Sequence, residues 1–576
     1  MLSIAGEAGA FPGFMAGKSK PPVVHSTHVA MIKKGPVTVV SVMPDYQGSL
    51  EPFAVVIAMP ADAGQEHVIT LKREFIDRLD MLSAPRFWEF WEQDPCDQGP
   101  PEQEWQRDLK VKGMGFLGGG PIDGPGARKV DKELMLDTHA KQKEGEYKIT
   151  VLEPGASPVA WLTSHGYAAP PGAEAAVGPY LGAGMRFAVA EVDTKRVELV
   201  GGDRAQLSPI RFYTEQPYDT LPSRLGLINL PPKGKQEIVV YVLDQQKRFQ
   251  TANYTNYQPP TNVEVDFAVK ERIGEFYNAI YDIILKKNPE AFLLEYAWAA
   301  DGCGQPCATD PLVISEILSL GADVFELSVP EEEKNPEPPE LTEEEKKSYK
   351  EEWKELKPKE RKEKQKQLDE DRKRVAVVKA LVERNKFIVS RLHYRYDEKT
   401  LGRDPKLAPA DAIEGGVALA KGEKREVSAE VKGAAENRLQ TRYNNFHNWK
   451  PVIKCQSPDR WKWGKSPPDY RGLRKTWIAE DLTRKSRTQI KPAEVMKTAI
   501  PALGLAVAKE PVDGGADAST DDAKKGKGCG CRTAGGERRS GAFAAFVAAL
   551  ALAGLRRQRR ASSVGASMPR TPRAAK

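Results

Sequence analysis

THVAMIKKGPVTVVSVM, residues 27–43, is the stretch that decides the fold class. Its two arms, Thr27–Lys33 and Val37–Met43, are rich in β-branched residues, and Gly35-Pro36 sits between them, so the stretch predicts strand, turn, strand. Working outward, Phe53–Met59 is a further apolar strand candidate. Leu71–Leu82 and Ala84–Glu92 repeat apolar residues every three or four positions and predict helices. Tyr147–Leu152, Arg186–Val192, Glu237–Leu243 and Arg248–Tyr254 favour strands again. Glu271–Lys287 predicts the clearest helix, with Ile273, Phe276, Tyr277, Ile280, Tyr281 and Ile284 along one face. Strand-like sequence resumes at Phe387–Tyr396 and Arg438–Phe446. Strands and helices mix without a regular βαβ alternation or an internal repeat, which predicts an α+β fold of mixed or antiparallel sheets with packed helices.

A chain of 576 residues can bury more than one core and does not depend on disulfides to fold. With 40% hydrophobic and 29% charged residues it is neither wholly disordered nor a multi-span membrane protein. The net charge of +6 is unevenly placed: residues 529–576 alone carry +9, which leaves −3 for the rest. A slightly acidic body excludes the basic face that nucleic-acid binding needs.

Between Glu331 and about Arg374 the composition turns to Glu, Lys and Arg. Pro336, Pro338 and Pro339 come first, then a Thr342-x-x-Glu345 capping signal, predicting a long solvated helical insertion broken near Pro358. The expected organisation is an N-terminal remnant at 1–10, a first ectodomain part at 11–330, the insertion at 331–385, and a second ectodomain part at 386–488. A flexible linker at 489–528, an anchor tail at 529–560 and a basic tail at 561–576 complete it.

The anchor is predicted from GAFAAFVAALALAGL, residues 541–555, an uncharged run flanked by Arg538 and Arg539 on one side and Arg556, Arg557, Arg559 and Arg560 on the other. As a helix it would reach roughly 22 Å, short of the ~30 Å hydrocarbon core, and snorkelling arginines would supply the rest. The arginine cluster stays cytoplasmic, which places the body across the membrane. Met1–Phe14 runs against this export reading, since it lacks both the positive start and the apolar run of a secretory signal.

Six cysteines fall into two groups. Cys96, Cys303, Cys307 and Cys455 lie in the body and suggest disulfides, for which three connectivities are possible. Cys303 and Cys307 are separated by three residues, one more than a thioredoxin-type pair, which favours a structural bridge over a redox pair and makes Cys96–Cys455 its complement. Cys529 and Cys531 lie in the tail.

Cys529-Gly-Cys531-Arg, a short spacer, an Ala/Leu helix and an arginine cluster together resemble the MYXO-CTERM sorting tail. That resemblance implies reading by a rhomboid-like sorting protease, with Cys529 or Cys531 as the site of processing and lipid attachment. Tails of that kind stop soon after the arginines, whereas this chain continues from Ala561 to Lys576.

Several body segments, in order, resemble an exported bacterial family classed as a domain of unknown function, DUF2330. They include Thr27–Gly35 (THVAMIKKG), Trp91–Cys96 (WEQDPC), Trp161–Tyr167 (WLTSHGY) and Leu207–Phe212 (LSPIRF). Glu295–Trp298 (EYAW), the Cys303/Cys307 pair, Leu392–Asp397 (LHYRYD) and Arg438–Tyr443 continue the series. The resemblance implies an extracytoplasmic domain whose mature form begins with a cysteine before Gly-Phe, where this chain has Pro12. It also accounts for the missing signal, because residue 1 falls near the expected cleavage point.

Sites of chemistry are sparse. The chain has no Gly-x-Ser-x-Gly, no His-Glu-x-x-His and no phosphate-binding glycine loop; Gly113–Gly120 lacks the Lys-Ser/Thr ending. His25 and His28 lead into a strand, which does not predict a metal pair, and His139, His165, His393 and His447 have no acid or nucleophile nearby in sequence. No catalytic, metal or cofactor residue is therefore expected. Arg460-Trp461-Lys462-Trp463-Gly464-Lys465 interleaves cations with aromatics, a pattern that can bind polysaccharide, phospholipid headgroups or single-stranded nucleic acid but is also common on a domain's own surface. The expectation is a membrane-anchored, non-enzymatic binding or structural ectodomain with a surface or envelope ligand. The alternative is an envelope hydrolase whose acids come from distant parts of the chain.

Overall fold

The computed structural model describes residues 12–495, except 49, 97–144, 200–203, 232–233, 262, 266, 303–310, 326–339, 342, 355, 385, 416–417, 422–423, 428–430, 461–476 and 492–494. The chain divides into two compact units, Met1–Ala508 and Lys509–Lys576, and all the described residues belong to the first.

The hairpin expected at Thr27–Met43 forms. Strands Ser26–Lys34 and Val37–Gln47 pair antiparallel, with Lys34 opposite Val37. Gly35 supplies the positive φ of 58° that the first position of this two-residue turn requires. Outward from the hairpin the strands build a 14-stranded sheet. Gln236–Asp244 runs parallel to Ser26–Lys34, and Ile388–Tyr396 and then Ala291–Ala299 follow, each antiparallel to its neighbour. Ile388–Tyr396, which follows the charged insertion, therefore sits between strands that precede it.

Each of these strands is buried on both faces. On one face Met31, Val40, Val42, Ile238, Val240, Val242 and Leu392 pack against Met15, Val55, Ile57 and Ala190 of a second sheet. That sheet is four-stranded and antiparallel, in the order Gly13–Gly17, Phe53–Met59, Arg186–Val192, Tyr147–Val151. Its outer face is covered by helices Pro158–Ser164 and Ala173–Gly182. On the opposite face of the large sheet, Ile32, Val239, Leu243 and Val389 meet Ile76, Leu79 and Leu82 of helix Glu74–Ser83 and Ile317 and Leu320 of helix Ile314–Leu320. Helix Ile273–Lys287 lays Phe276, Ala279, Ile280 and Ile284 on Leu293, Tyr257 and Trp477. Each buried Val, Leu, Ile, Phe or Met side chain contributes about 1.5–3 kcal/mol. The result is α+β, in helix, sheet, sheet, helix layers.

The charged insertion is helical, as Glu343–Glu352 and Pro358–Arg384, with Pro358 at the start of the second helix, where its missing N–H costs nothing. One expected element is wrong in kind: Ala84–Glu92 is not a helix but contains strand Arg86–Trp91. Apolar residues at 87, 88, 90 and 91 satisfy either period. A parallel partner, Arg442–His447, decides for the strand. Among the described residues no helix is long and apolar enough to cross a membrane. The expected apolar helix at 541–555 lies outside those residues.

Candidate functional site

The helix-covered face of the large sheet should be apolar at its centre, and instead it carries charge. Cross-strand pairing sets Glu237 opposite Arg395, Val239 opposite His393 and Tyr241 opposite Arg391. His28 lies beside Val239 on the next strand. On the other side Leu293 faces His393 and Tyr296 faces Arg391, so the register shifts across Glu295. The extra residue lets Glu295 turn its carboxylate onto both cations.

Glu295 is fully buried. Its Oε2 accepts from Arg391 Nε at 2.6 Å, and its Oε1 meets His393 Nδ1 at 2.9 Å and the Tyr277 hydroxyl at 2.6 Å. Arg391 Nη1 reaches Asp80 Oδ1 at 2.5 Å and donates to the Tyr241 hydroxyl at 3.0 Å. Tyr241 donates in turn to Asp80 Oδ1 at 2.7 Å. Its one proton is thereby used, so the 2.9 Å contact with His28 Nδ1 makes that nitrogen the donor. On the far side His393 Nε2 lies 3.4 Å from Glu237 Oε2, and Arg395 bonds Glu237, Asp282 and Asn278 at 2.6, 3.0 and 2.6 Å. Tyr281 donates to the His393 carbonyl at 2.7 Å and accepts from Arg395 N at 2.9 Å.

Position along this chain of charges decides each protonation state. Burial pushes the His393 imidazolium down, but Glu295 and Glu237 outweigh it and raise the group to about 9. Burial pushes Glu237 up, and His393 and Arg395 bring it down to about 2. Glu295 follows the same pattern, with burial opposed by His393 and Arg391 and the net direction downward. For Asp80 too, burial is overcome by Arg391, and the carboxylate stays well below its ordinary value. His28 goes the other way: burial dominates and lowers it to about 4. At neutral pH the network therefore holds Arg391, His393 and Arg395 as cations and His28 neutral.

An acid, a histidine and a second acid in line look superficially like a proton-transfer dyad. His393, however, is already protonated near neutral pH and has a carboxylate at each ring nitrogen, so it cannot act as a general base there. The arrangement locks four strands and two helices in one register.

A second constellation lies on the small parallel sheet of Val263–Glu264, Arg442–His447 and Arg86–Trp91. Trp91 is 56% exposed and stacks parallel to His447 at 4.5 Å; Phe267, 52% exposed, lies 4.6 Å from the same ring. Glu89 holds His447 Nε2 at 2.8 Å and Lys270 Nζ at 2.9 Å. Burial opposes ionisation of Glu89, but Lys270 and His447 prevail and lower it. Directly beyond, buried Glu92 receives Trp449 N at 2.7 Å and Arg460 Nε at 2.7 Å. Cys96 and Cys455 then close a disulfide at a Cα separation of 5.4 Å, 359 residues apart in sequence. The bridge and the Glu92–Arg460 pair clamp together the strand ends that carry Trp91 and His447, while Phe267 opens the short helix Phe267–Arg272.

The Cys96–Cys455 pairing thus forms as expected. Cys303 and Cys307, Cys529 and Cys531, and the flanking arginines 538, 539, 556, 557, 559 and 560 lie outside the described residues, as do His139, Gly113–Gly120 and Trp461–Lys465. His25 and His28 have separate partners, Gln47 and Tyr241. His165 is an exposed ring stacked on Trp161 at 3.7 Å. Among the described residues no group of His, Cys, Asp and Glu is placed to hold a metal ion. The acids of His393 and His447 were out of reach of local motifs, being 98 and 358 residues away from them.

The family model of an uncharacterized protein conserved in bacteria, DUF2330, matches residues 7–405. The chain belongs to that family. The DUF2330 match contains every residue of the buried network, from His28 to Arg395, whereas Arg442–His447 and Cys455 lie beyond it. No curated protein matches the chain. Among solved structures, the crystal structure of baculovirus P35 is 13% identical over 40% of this chain and 66% of its own length. With a TM-score of 0.20 it carries no argument about fold or function.

Proposed function

We propose that this chain is an exported surface protein, anchored by its C-terminal tail, whose folded body is a non-enzymatic ectodomain that binds an envelope or surface glycan. The observation that carries the reading is the Cys96–Cys455 bridge. A disulfide joining such distant points persists in an oxidising compartment and is rare in the reducing cytosol. In this proposal the Arg-flanked segment 541–555 is the membrane helix, and Cys529 or Cys531 is the residue processed by a sorting protease of the MYXO-CTERM type.

The glycan is favoured by the two exposed aromatics gathered round His447. Exposed Trp91 and Phe267 offer flat apolar faces to the C–H face of a sugar ring, and Glu89 and Lys270 lie beside them to meet its hydroxyls. A binding role, in place of catalysis, is supported by the two carboxylates that flank His393 and keep its imidazolium protonated. The test is sedimentation of the purified oxidised protein with isolated cell-wall polysaccharide. Trp91→Ala with Phe267→Ala is expected to abolish pelleting and leave the urea midpoint unchanged. Equal pelleting by the variant rejects the aromatic face as the binding surface.

A further inference from the structure

The small parallel sheet has a second face, behind the aromatics. Phe87 and Tyr443 turn toward helix Ile273–Lys287, so the alternation of side chains along a strand turns their neighbours Arg86 and Arg442 to the opposite side. Register sets these two arginines directly opposite each other on adjacent strands. Both are buried, Arg86 at 5% and Arg442 at 2% exposure. Like charges that face each other across two strands repel, and burial deepens the repulsion.

A buried arginine ordinarily comes with a carboxylate, as Arg391 and Arg395 do on the large sheet. Arg86 does not: among the described residues no acid pairs with it. Its Nη2 donates to the Leu82 carbonyl, while Nε and Nη1 are buried without a hydrogen-bond partner. Gln440 Oε1 and Thr441 Oγ1, on the residues that lead into Arg442, are buried without partners as well. Burial lowers the pKa of Arg86; the phenol of Tyr296 opposes this and Arg442 reinforces it. A guanidinium still keeps its proton near neutral pH, so a charge stays buried with two donors unused.

We propose that Arg86, facing Arg442, holds a small inorganic anion of the size of chloride against its Nε and Nη1. An anion supplies both the acceptor and the counter-charge that Arg86 lacks, and charge-assisted hydrogen bonds are about twice as strong as neutral ones. Water would meet the donors and leave two like charges facing each other. Exposure of 5% and 2% leaves no broad mouth for a larger anion. The bound ion ties strand Arg86–Trp91 to strand Arg442–His447 from behind the aromatic face, whatever that face binds.

The test is urea unfolding of the full chain while sodium chloride replaces sodium gluconate at constant ionic strength, which keeps general screening fixed. Once the site is filled, each tenfold rise in chloride is expected to lower the unfolding constant about tenfold, or about 1.4 kcal/mol. Arg86→Met keeps the length of the side chain, removes its charge, and is expected to erase this response. Should Arg86→Met fail to fold, crystals of the full chain grown from sodium bromide decide. An anomalous peak beside Arg86 Nε and Nη1 is the expected result. Equal stability of the wild type in the two salts, an unchanged chloride response in Arg86→Met, or water alone beside the guanidinium overturns the proposal.

Discussion

Replacing Glu295 by Gln keeps the shape of a fully buried side chain and removes the one charge that faces both Arg391 and His393. Two cations are then left to a single strong anion each, Asp80 for Arg391 and Glu237 for His393. Breaking a buried pair on one side costs about 3–5 kcal/mol, a large share of the about 5–15 kcal/mol that holds a protein folded. The pH dependence gives a sharper signature. His393 is raised from 6.5 to about 9, so its contribution is complete below pH 6.5 and is lost as pH climbs through about 9. At about 1.4 kcal/mol per unit, the shift amounts to about 3 kcal/mol. In Glu295→Gln most of this is gone, and the difference between the two proteins should shrink as pH rises. Urea unfolding from about pH 6 to about pH 10, read by fluorescence, measures both quantities. A variant within about 1 kcal/mol of the wild type, with a parallel pH profile, refutes the charge assignment.

Other perturbations probe separate layers. Tyr277→Phe removes a single donor to Glu295 and is expected to cost about 1–2 kcal/mol in the same assay, well below Glu295→Gln. Leu294→Ala opens a cavity between the two sheets and is expected to lower stability by about 2–5 kcal/mol with no change in pH dependence. Cys96→Ser is expected to lose about 2–5 kcal/mol, and adding reductant should destabilise the wild type by more than the variant. His447→Ala withdraws the ring on which Trp91 stacks and is expected to weaken glycan pelleting while the unfolding free energy changes by less than about 1 kcal/mol.

The parts of the fold that were legible are those that local chemistry determines. Val37–Val42 is β-branched throughout its apolar positions, and the stripe on Ile273–Lys287 returns with helical spacing. Ala84–Glu92 was not legible, because aromatics at 87, 88, 90 and 91 fit either period until a distant strand pairs with them. The network was hidden for a related reason. In Arg391-Leu392-His393-Tyr394-Arg395-Tyr396 the alternation of charged and apolar residues is plain, and it ordinarily means one face toward water. Here helices cover that face, and the anions that make its burial tolerable come from Asp80, Glu237 and Glu295 on other elements. A register shift at Glu295 leaves no mark in sequence. The one clue was the concentration of tyrosines and charges within short strand-like segments, which suits a satisfied polar interior as well as a surface.

Export and anchoring are tested most directly by fractionating cells that express the full-length chain, detected with an antibody to the folded body. Thiols in each fraction are then labelled under denaturing, non-reducing conditions. The expected result is recovery with the membrane or envelope, with Cys96 and Cys455 protected from label until a reductant is added. Recovery of the intact chain in the soluble cytosolic fraction, with both cysteines labelled at once, would contradict it.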